Sequence, residues 1–372
     1  MEPVLDLTRD EAFSRIRLLR SPNVGPVSYA QLLRRFGTAG AALEALPDIA
    51  GKRGNLYRAA PADRIEAEIA SVRRSGARYL FHDAPEYPSL LGTCDSAPPI
   101  LTVKGDASLG AQACVAVVGA RNASAAAIKL ARDFAAELAG QGVVIVSGLA
   151  RGIDGAAHRG ALAGASGGGG TIGVIASGID ITYPPEHADL QAQIGEEGLL
   201  IAEQPCGTEP LARHFPARNR IIAGIAAGTL VVEAAPKSGS LITARLAGEM
   251  GRDVMAIPGS PLDSRSHGCN QLIRDGAVLV QRPEDVLELI QGFTGAPRSF
   301  LRESAEPLSF DTFDAEAQPA DITGLLTTAP VAVDELIRQS GASPAEVQMA
   351  LLELELAGRL VRHAAGRVSL SG

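Results

Sequence analysis

Residues 114–148, CVAVVGARNASAAAIKLARDFAAELAGQGVVIVSG, decide the fold of this chain. They predict a buried strand at 114–119, an alanine-rich helix from Ala123 to Ala139 and a second strand at 143–148. Further strands are predicted at 100–103, 171–178, 199–205, 229–235, 253–259 and 277–281, and helices at 153–162, 243–250 and 268–274. Because apolar strands that alternate with helices form parallel sheets covered on both faces, we predict an α/β fold with an extended Rossmann-like parallel sheet core.

The segments on either side of this core predict smaller modules. Short amphipathic helices surround a Gly-Pro turn in SPNVGPVSYAQLLRRFG (21–37), which is typical of a small helical domain of the SAM or helix-hairpin-helix type. The C-terminal segment has the order helix, helix, helix, hairpin of a winged-helix module, and the acidic, proline-marked segment before it predicts a flexible linker. The predicted domains are 1–75 (helical), 76–298 (Rossmann core), 299–320 (linker) and 321–372 (winged-helix-like).

Composition limits the possible functions. The chain has 372 residues and a net charge of −8, so it cannot coat DNA by net charge, although a local basic groove is compatible with an acidic total. No apolar run is long enough to span a bilayer, and the acidic N-terminus lacks the features of a signal peptide, so we expect a cytoplasmic protein without membrane contact. The four cysteines lie far apart, and no metal site or cofactor is predicted.

Ligands bind at the carboxyl ends of the strands in sheets of this kind, and polar residues follow several predicted strands there. The first strand ends at Gly119, which allows close backbone approach, and Arg121 and Ser124 follow at a helix N-terminus that favours an anion. The second strand ends at Gly148, and Arg151 follows. Tyr183 follows the third strand, where it could stack on a base or support the loop. The spacing differs from the GxGxxG fingerprint, which argues against dinucleotide binding.

Asp154 and His158 lie one turn apart on the helix after the second strand. They could form an acid–base pair, but no nucleophile lies near them in the motif. We therefore interpret Asp154 as a helix cap and His158 as a packed residue that holds the loop.

The segments that follow the fourth and fifth strands resemble a site for single-stranded nucleic acid. A cation beside an exposed ring can hold a phosphate while the ring stacks on a base. A lysine with serine hydroxyls at a helix start can complete an anion site. The candidate residues here are Arg213, Phe215, Arg218, Asn219, Lys237, Ser238, Ser240 and Thr243.

Together these motifs resemble the DNA-processing protein A (DprA, or Smf) family. The matching stretches are VAVVGARNAS, SGLARGIDGAAH, TIGVIASGIDITYPPEH, GLLIAEQPCGTEP, FPARNRIIAG, LVVEAAPKSGSLITARLAGEMGRDVMAIPG and NQLIRDGA, which cover nearly all of residues 114–280 in order. The helical segment before them and the winged-helix-like segment after them fit the same family.

The resemblance implies a homodimer that binds single-stranded DNA without sequence specificity, protects it during natural transformation and loads the RecA recombinase onto it, with no catalytic activity. It also implies that Arg121, Arg213, Phe215, Lys237 and Ser238 match DNA-contacting positions, although the family often has lysine where Arg213 stands. Either cation can hold a phosphate.

The winged-helix-like module departs from a DNA-reading pattern. Its third helix carries Glu346, Glu353 and Glu355 and no basic residue, whereas a helix that enters the major groove should be basic or polar. We therefore predict that the module contacts protein or regulates rather than reads duplex DNA.

Two enzymatic alternatives remain. The sheet and its glycine loops also resemble nucleotide-processing enzymes of the lysine-decarboxylase-like group, which carry a PGGxGTxxE turn with a catalytic glutamate. The corresponding region here is AAPKSGSLITA (234–244), and Glu233 precedes it within a predicted strand. An NAD-dependent oxidoreductase is the other alternative, and the missing fingerprint argues against it.

Overall fold

The structure is a computed structural model, and it describes residues 7–51, 57–291, 322–363 and 366–371. The chain forms two compact units that divide near residue 65 and again near residue 299. One unit contains the N-terminal helices and the C-terminal module, and the other contains the large sheet. The predicted linker at 299–320 lies outside the described residues. None of the described helices is long and apolar enough to cross a membrane.

Helices and strands alternate through the middle of the chain as the sequence predicts. The helices are α1 (Arg9–Leu19), α2 (Pro26–Phe36), α3 (Ala39–Gly51), α4 (Ala62–Arg74), α5 (Ser89–Gly92), α6 (Ala125–Gly140), α7 (Ile153–Gly164), α8 (Ala188–Glu197), α9 (His214–Ile225), α10 (Gly239–Glu249), α11 (His267–Arg274), α12 (Pro283–Gln291), α13 (Val333–Ser340) and α14 (Pro344–Leu356). The strands are β1 (Arg78–Phe81), β2 (Ile100–Gly105), β3 (Cys114–Val118), β4 (Val144–Ser147), β5 (Gly170–Gly178), β6 (Leu199–Gln204), β7 (Gly228–Val231), β8 (Asp253–Ala256), β9 (Val278–Leu279), β10 (Val331–Ala332), β11 (Leu360–His363) and β12 (Arg367–Leu370).

The large sheet has the strand order β1-β2-β6-β5-β4-β3-β7-β8-β9 among the described residues. Val115 of β3 lies opposite Ile145 of β4 on one side and Gly228 of β7 on the other, in parallel register. The strand order therefore reverses between β3 and β7, and such a switch point opens a crevice at the carboxyl ends of the strands.

The core has one layer on each face of this sheet. Val115 and Val117 point towards α6, where they pack with Phe134 and Leu138. Ala116 and Val118 point to the opposite face, where the cluster includes apolar residues of α9. Coverage of both faces explains why β3 is apolar throughout rather than alternating.

Three features differ from the sequence prediction. The parallel core is confirmed, but β1 and β2 extend it in antiparallel pairing at one edge. Residues 214–225 form α9, whereas the sequence analysis predicts no helix for the segment that carries Phe215 and Arg218. β7 ends at Val231, four residues before its predicted end, because the chain then leaves the sheet to hold neighbouring loops.

The other unit contains the two smaller modules. In the N-terminal region, α1, α2 and α3 pack around Leu18, Leu32 and Leu46, and Gly25 caps α2, whose first residue is Pro26. In the C-terminal module, β10, β12 and β11 form an antiparallel sheet beside α13 and α14, as in a winged helix. Its predicted first helix is only a 3₁₀ turn at Ile322–Leu325.

Helices α6 and α7 approach each other closely because α7 presents glycines to α6. A Cβ built on Gly160 would lie 2.1 Å from the carbonyl oxygen of Arg132, a backbone atom that cannot move aside cheaply. Glycine is therefore required at this point of α7 by packing rather than by backbone conformation.

We expect Gly160→Ala to destabilise the protein by roughly 1–3 kcal/mol because the added methyl group overpacks the α6–α7 contact. Urea denaturation followed by circular dichroism measures the change. Gly140→Ala is the matched control, since a Cβ there meets no atom within 4 Å. An equal loss of stability in both variants would contradict this explanation.

Candidate functional site

The candidate site lies where the loops after β3, β4 and β7 meet at the switch point of the sheet. The amide of Ala120 donates to the carbonyl oxygen of Glu233, 2.7 Å away, and the amide of Ile153 donates to the carbonyl oxygen of Ala120 at 3.3 Å. Gly152 has φ of +72°, and a Cβ there would lie 2.3 Å from the oxygen of Ala120. The three loops are therefore fixed against one another by backbone contacts.

Two aromatic rings and an arginine form the exposed centre of the site. The Phe215 and Tyr183 rings meet edge-on with their centroids 5.8 Å apart. The guanidinium carbon of Arg121 lies over the Phe215 ring, 4.9 Å from its centroid. Arg121 is exposed, Phe215 is half-buried and Tyr183 is 40% exposed. We call Arg121, Tyr183 and Phe215 the cation–aromatic cluster; it offers a positive charge and π-faces to solvent.

The loop after β7 carries a second exposed cation of the predicted site. Lys237 is exposed and adopts a φ of 68°, a left-handed conformation that is costly for a residue with a side chain. Ser238 caps α10, and its hydroxyl oxygen accepts from the amide of Ser240. The side-chain amide of Asn219 donates to the carbonyl oxygen of Gly239 at 3.2 Å, which ties this loop to α9. The strained lysine conformation is therefore held by its surroundings.

Arg218 lies beneath the cluster rather than on its surface. It is 6% exposed, and its Nη1 donates to the carbonyl oxygen of Val174 at 2.7 Å. A Cβ on Gly148 would lie 1.8 Å from the same Nη1, so glycine is required for the arginine to pass. Burial lowers the pKa of Arg218 to about 10, and the charge of Asp154 opposes this effect, so the guanidinium stays charged at neutral pH.

The loop after β4 is held by Asp154 and His158. The Asp154 carboxylate accepts from the amides of Gly148 and Ala150 at 3.2 and 3.4 Å. Thr171 donates its hydroxyl to the carbonyl oxygen of Ile145, so it accepts from Nδ1 of His158, whose Nε2 then accepts from the amide of Leu149. Burial lowers the pKa of His158 to about 3. This geometry favours the cap-and-packing interpretation of the pair over acid–base chemistry.

The N-terminus of α6 already holds an anion from the protein itself. Glu233 is buried, and its carboxylate accepts from the amide of Ser124 at 3.0 Å and from the Ser124 hydroxyl at 2.7 Å. In nucleotide-binding Rossmann folds this end of the first helix binds a phosphate. A bound carboxylate opposes such use here, so the geometry disfavours the two enzymatic alternatives.

The remaining candidate residues are distributed between surface and interior. Arg213 and Arg151 are exposed, and Arg151 forms an ion pair with Glu186. Ser240 and Thr243 are buried in α10, and Asn219 is buried in α9. Gly119 accommodates Ile153, whose Cγ1 would lie 2.6 Å from an added Cβ.

The predicted contact residues thus fall into two groups, one at the surface and one in the interior. Arg121, Arg213, Phe215 and Lys237 can reach a ligand from the surface. The burial of Gly148, Arg218, Asn219, Ser240 and Thr243 favours a positioning role instead of the predicted contact with DNA. That assignment of contacts remains a prediction for all thirteen residues.

Two residues that shape the site lie outside the thirteen predicted contact residues, although the sequence already offers Tyr183 for stacking on a base or supporting the loop. The contact of Tyr183 with Phe215 depends on how two loops that are distant in the sequence meet. The sequence places Glu233 in a strand interior, but β7 ends two residues earlier. Among the described residues, no three His, Cys, Asp or Glu side chains form a group that could hold a metal ion.

Comparisons with known proteins agree across the chain. A family model described as DNA recombination-mediator protein A matches residues 78–291. Models for a DprA-like N-terminal helix-hairpin-helix domain and a DprA winged-helix domain match residues 9–71 and 305–366.

Individual relatives are similar over most of their length. A putative DNA processing protein DprA of Mycobacterium tuberculosis is 36% identical over 94% of this chain and 91% of its own. The X-ray structure of DNA processing protein A from Streptococcus pneumoniae has 38% identity and a TM-score of 0.63, and the match covers 76% of this chain and 98% of that one. A Helicobacter pylori DNA processing protein A, whose structure is described by its single-stranded DNA binding mode, has 28% identity and a TM-score of 0.52 over 58% and 97% of the two chains.

We expect Arg218→Met to destabilise the protein by roughly 3–5 kcal/mol, because it leaves Asp154 buried without its opposing charge. Chemical denaturation of both variants measures this loss, and Arg213→Met is the matched control because Arg213 is exposed and five residues earlier. If Arg218→Met were as stable as the control, Arg218 would not be the support that this geometry indicates.

Proposed function

The chain belongs to the DNA recombination-mediator protein A family, and we propose that it binds single-stranded DNA without sequence preference at the cation–aromatic cluster. Family membership gives it a role in DNA processing as a recombination mediator. The observation that supports the finer proposal is the Phe215–Tyr183 ring pair with Arg121 above it. The binding mode named for the Helicobacter pylori relative agrees with it.

The chemistry of the cluster fits a single strand better than a duplex. Unpaired bases expose their π-faces, which can stack on Phe215 or Tyr183, whereas paired bases are stacked on each other. Arg121, Arg213 and Lys237 are exposed cations that can each neutralise a phosphate. Because every base has a π-face, stacking gives affinity without sequence preference.

The site supports binding rather than catalysis. His158 is neutral and bonded on both ring nitrogens, and Glu233 is engaged by Ser124, so neither is positioned to act on a bound strand. We propose that the protein protects the strand during DNA uptake in the cytoplasm and passes it to the RecA recombinase. The family's description as a recombination mediator supports this step.

We expect labelled oligo-dT to bind well ahead of a duplex of the same length, with an affinity that falls as salt rises because phosphates are neutralised. Fluorescence polarisation at several salt concentrations measures both properties. Oligo-dA and oligo-dC serve as controls for base preference. Tighter binding to the duplex, or an affinity independent of salt, would contradict the proposal.

Substitutions in the cluster and at the other exposed cations should separate the contribution of base stacking to the affinity from that of phosphate neutralisation. Phe215→Ala should cost roughly 1–3 kcal/mol for each base stacked on the ring and leave the salt slope nearly unchanged. Arg121→Ala, Arg213→Ala and Lys237→Ala should each lower the slope by about one. Arg132→Ala removes an exposed arginine from α6 and is the control. A folded Phe215→Ala protein with full affinity would show that the ring supports the loop rather than the strand.

We also propose that the protein is a homodimer through the edge of its large sheet. β9 is the last strand in the sheet, and Val278 and Leu279 are 39% and 44% exposed. Because β9 has only two residues, we place the contact on these exposed apolar side chains rather than on strand pairing. A second copy would lengthen the binding track and raise avidity on one strand.

Leu279→Asp should convert the dimer into a monomer because it places a charge in the proposed interface, and light scattering measures the mass. Ile128→Asp is the control, since Ile128 is 39% exposed on α6. A dimeric Leu279→Asp protein, or a monomeric wild type, would exclude this interface.

A further inference from the structure

Helix α14, the third helix of the winged-helix module, buries two different faces. Val347, Leu351 and Leu354 pack in the core of the module itself. Leu352 and Leu356 are equally buried, but they pack with Leu18, Leu32 and Leu46 of the N-terminal helices, and Met349 lies against the same group. These two leucines contribute nothing to the module's own core, and their burial depends on the N-terminal region.

Polar contacts specify the same docking. Nε2 of Gln31 donates to Oε1 of Gln348 at 2.6 Å, and Nδ2 of Asn23 donates to the carbonyl oxygen of Leu356 at 2.9 Å. Nη1 of Arg35 lies 2.7 Å from the sulfur of Met349. The contact thus combines an apolar centre with hydrogen bonds at its edge, as in a specific interface.

The docking places α14 and the residues after it against one side of the turn between α1 and α2, while Pro22 stays exposed. This turn, Ser21–Gly25, is the hairpin of the helix-hairpin-helix domain, the part that lets backbone amides approach a phosphate. A Cβ on Gly25 would lie 3.7 Å from Oε1 of Glu355, and one on Gly358 would lie 3.3 Å from Nδ2 of Asn23. The other carboxylate oxygen of Glu355 accepts from Arg362 at 3.0 Å. The carboxylate beside the turn is therefore paired with a cation of the same module, and the module restricts access to the turn by its bulk.

We propose that α14 is a docking helix for the N-terminal region of its own chain, and that this contact withholds the Ser21–Gly25 turn from duplex DNA. A helix with Leu352 and Leu356 buried against protein cannot also lie in a major groove. Its three glutamates fit this use, since the helix faces protein and not phosphates. The element that the docking withholds is therefore the turn, and not α14 itself.

A disulfide between the two modules tests the docking in the full-length chain. We expect Gln31→Cys with Gln348→Cys to form an intrachain bond on mild oxidation, because these two side chains meet. The bond would close a loop between positions 317 residues apart and speed migration in non-reducing electrophoresis. Gln31→Cys with Gln339→Cys is the matched control, since Gln339 is exposed on α13. A disulfide-linked dimer would show that α14 docks on a second copy, and the absence of any disulfide would show that the two side chains do not meet. Either result overturns the proposal.

Release of α14 tests the consequence of docking. Leu352→Asp should undock α14 while leaving the module's own core intact, and Ala345→Asp, exposed on the same helix, is the control. We expect only Leu352→Asp to bind labelled duplex more tightly, with a salt slope steeper by about one for each additional phosphate that the protein neutralises. Unchanged duplex binding would overturn the occlusion. The affinity for single-stranded DNA should be the same in both variants. A wild-type protein that does not bind single-stranded DNA would instead contradict the function proposed above, on which this inference does not depend.

Discussion

The buried guanidinium of Arg218 is the interaction on which the rest of the site depends. It crosses from α9 beneath the loop after β4, bonds to the carbonyl oxygen of Val174 in the middle of β5 and faces the charge of Asp154, which holds the amides of that loop. Phe215 lies three residues earlier on the same side of α9, and its ring centroid is 6.0 Å from the guanidinium carbon of Arg218. A buried charge therefore supports the half-buried ring, and Gly148 is glycine because the arginine needs its space.

Much of the sheet could be predicted because its strands are continuous apolar runs. β3 to β6 lie within one residue of their predicted starts, since burial on both faces leaves little choice of residue. α9 was not predicted although Arg218, Ile221, Ile222 and Ile225 have helical spacing; Pro216 and Gly224, both poor helix formers, lie within it. Of the two antiparallel edge strands, β2 was predicted as a short strand, whereas β1, which is short and only partly apolar, was missed.

The exposed residues of the site could be predicted from the sequence more readily than the buried residues that support them. Arg121, Phe215 and Lys237 stand at strand or helix ends, where residue type alone indicates a ligand. Arg218 and Asn219 are of the same types, and they lie on the same side of α9 as Phe215, so neither residue type nor helical phase shows that they are buried. Glu233 could not be placed without knowing that β7 stops early and that its carboxylate turns towards α6. Depth of burial and loop contact are properties of the assembled fold.

Glu233 also explains how a Rossmann-like sheet can serve a strand of DNA rather than a free nucleotide. A carboxylate at the N-terminus of α6 neutralises the helix dipole from within, so the strongest anion site of the fold is occupied by the protein. In the function proposed above, phosphates therefore bind outside the crevice, at side-chain cations on its rim. With a net charge of −8, the chain gains little from long-range attraction to DNA. Affinity therefore depends on short-range contacts, and the rings of Phe215 and Tyr183 are placed where such contacts can form beside the rim cations.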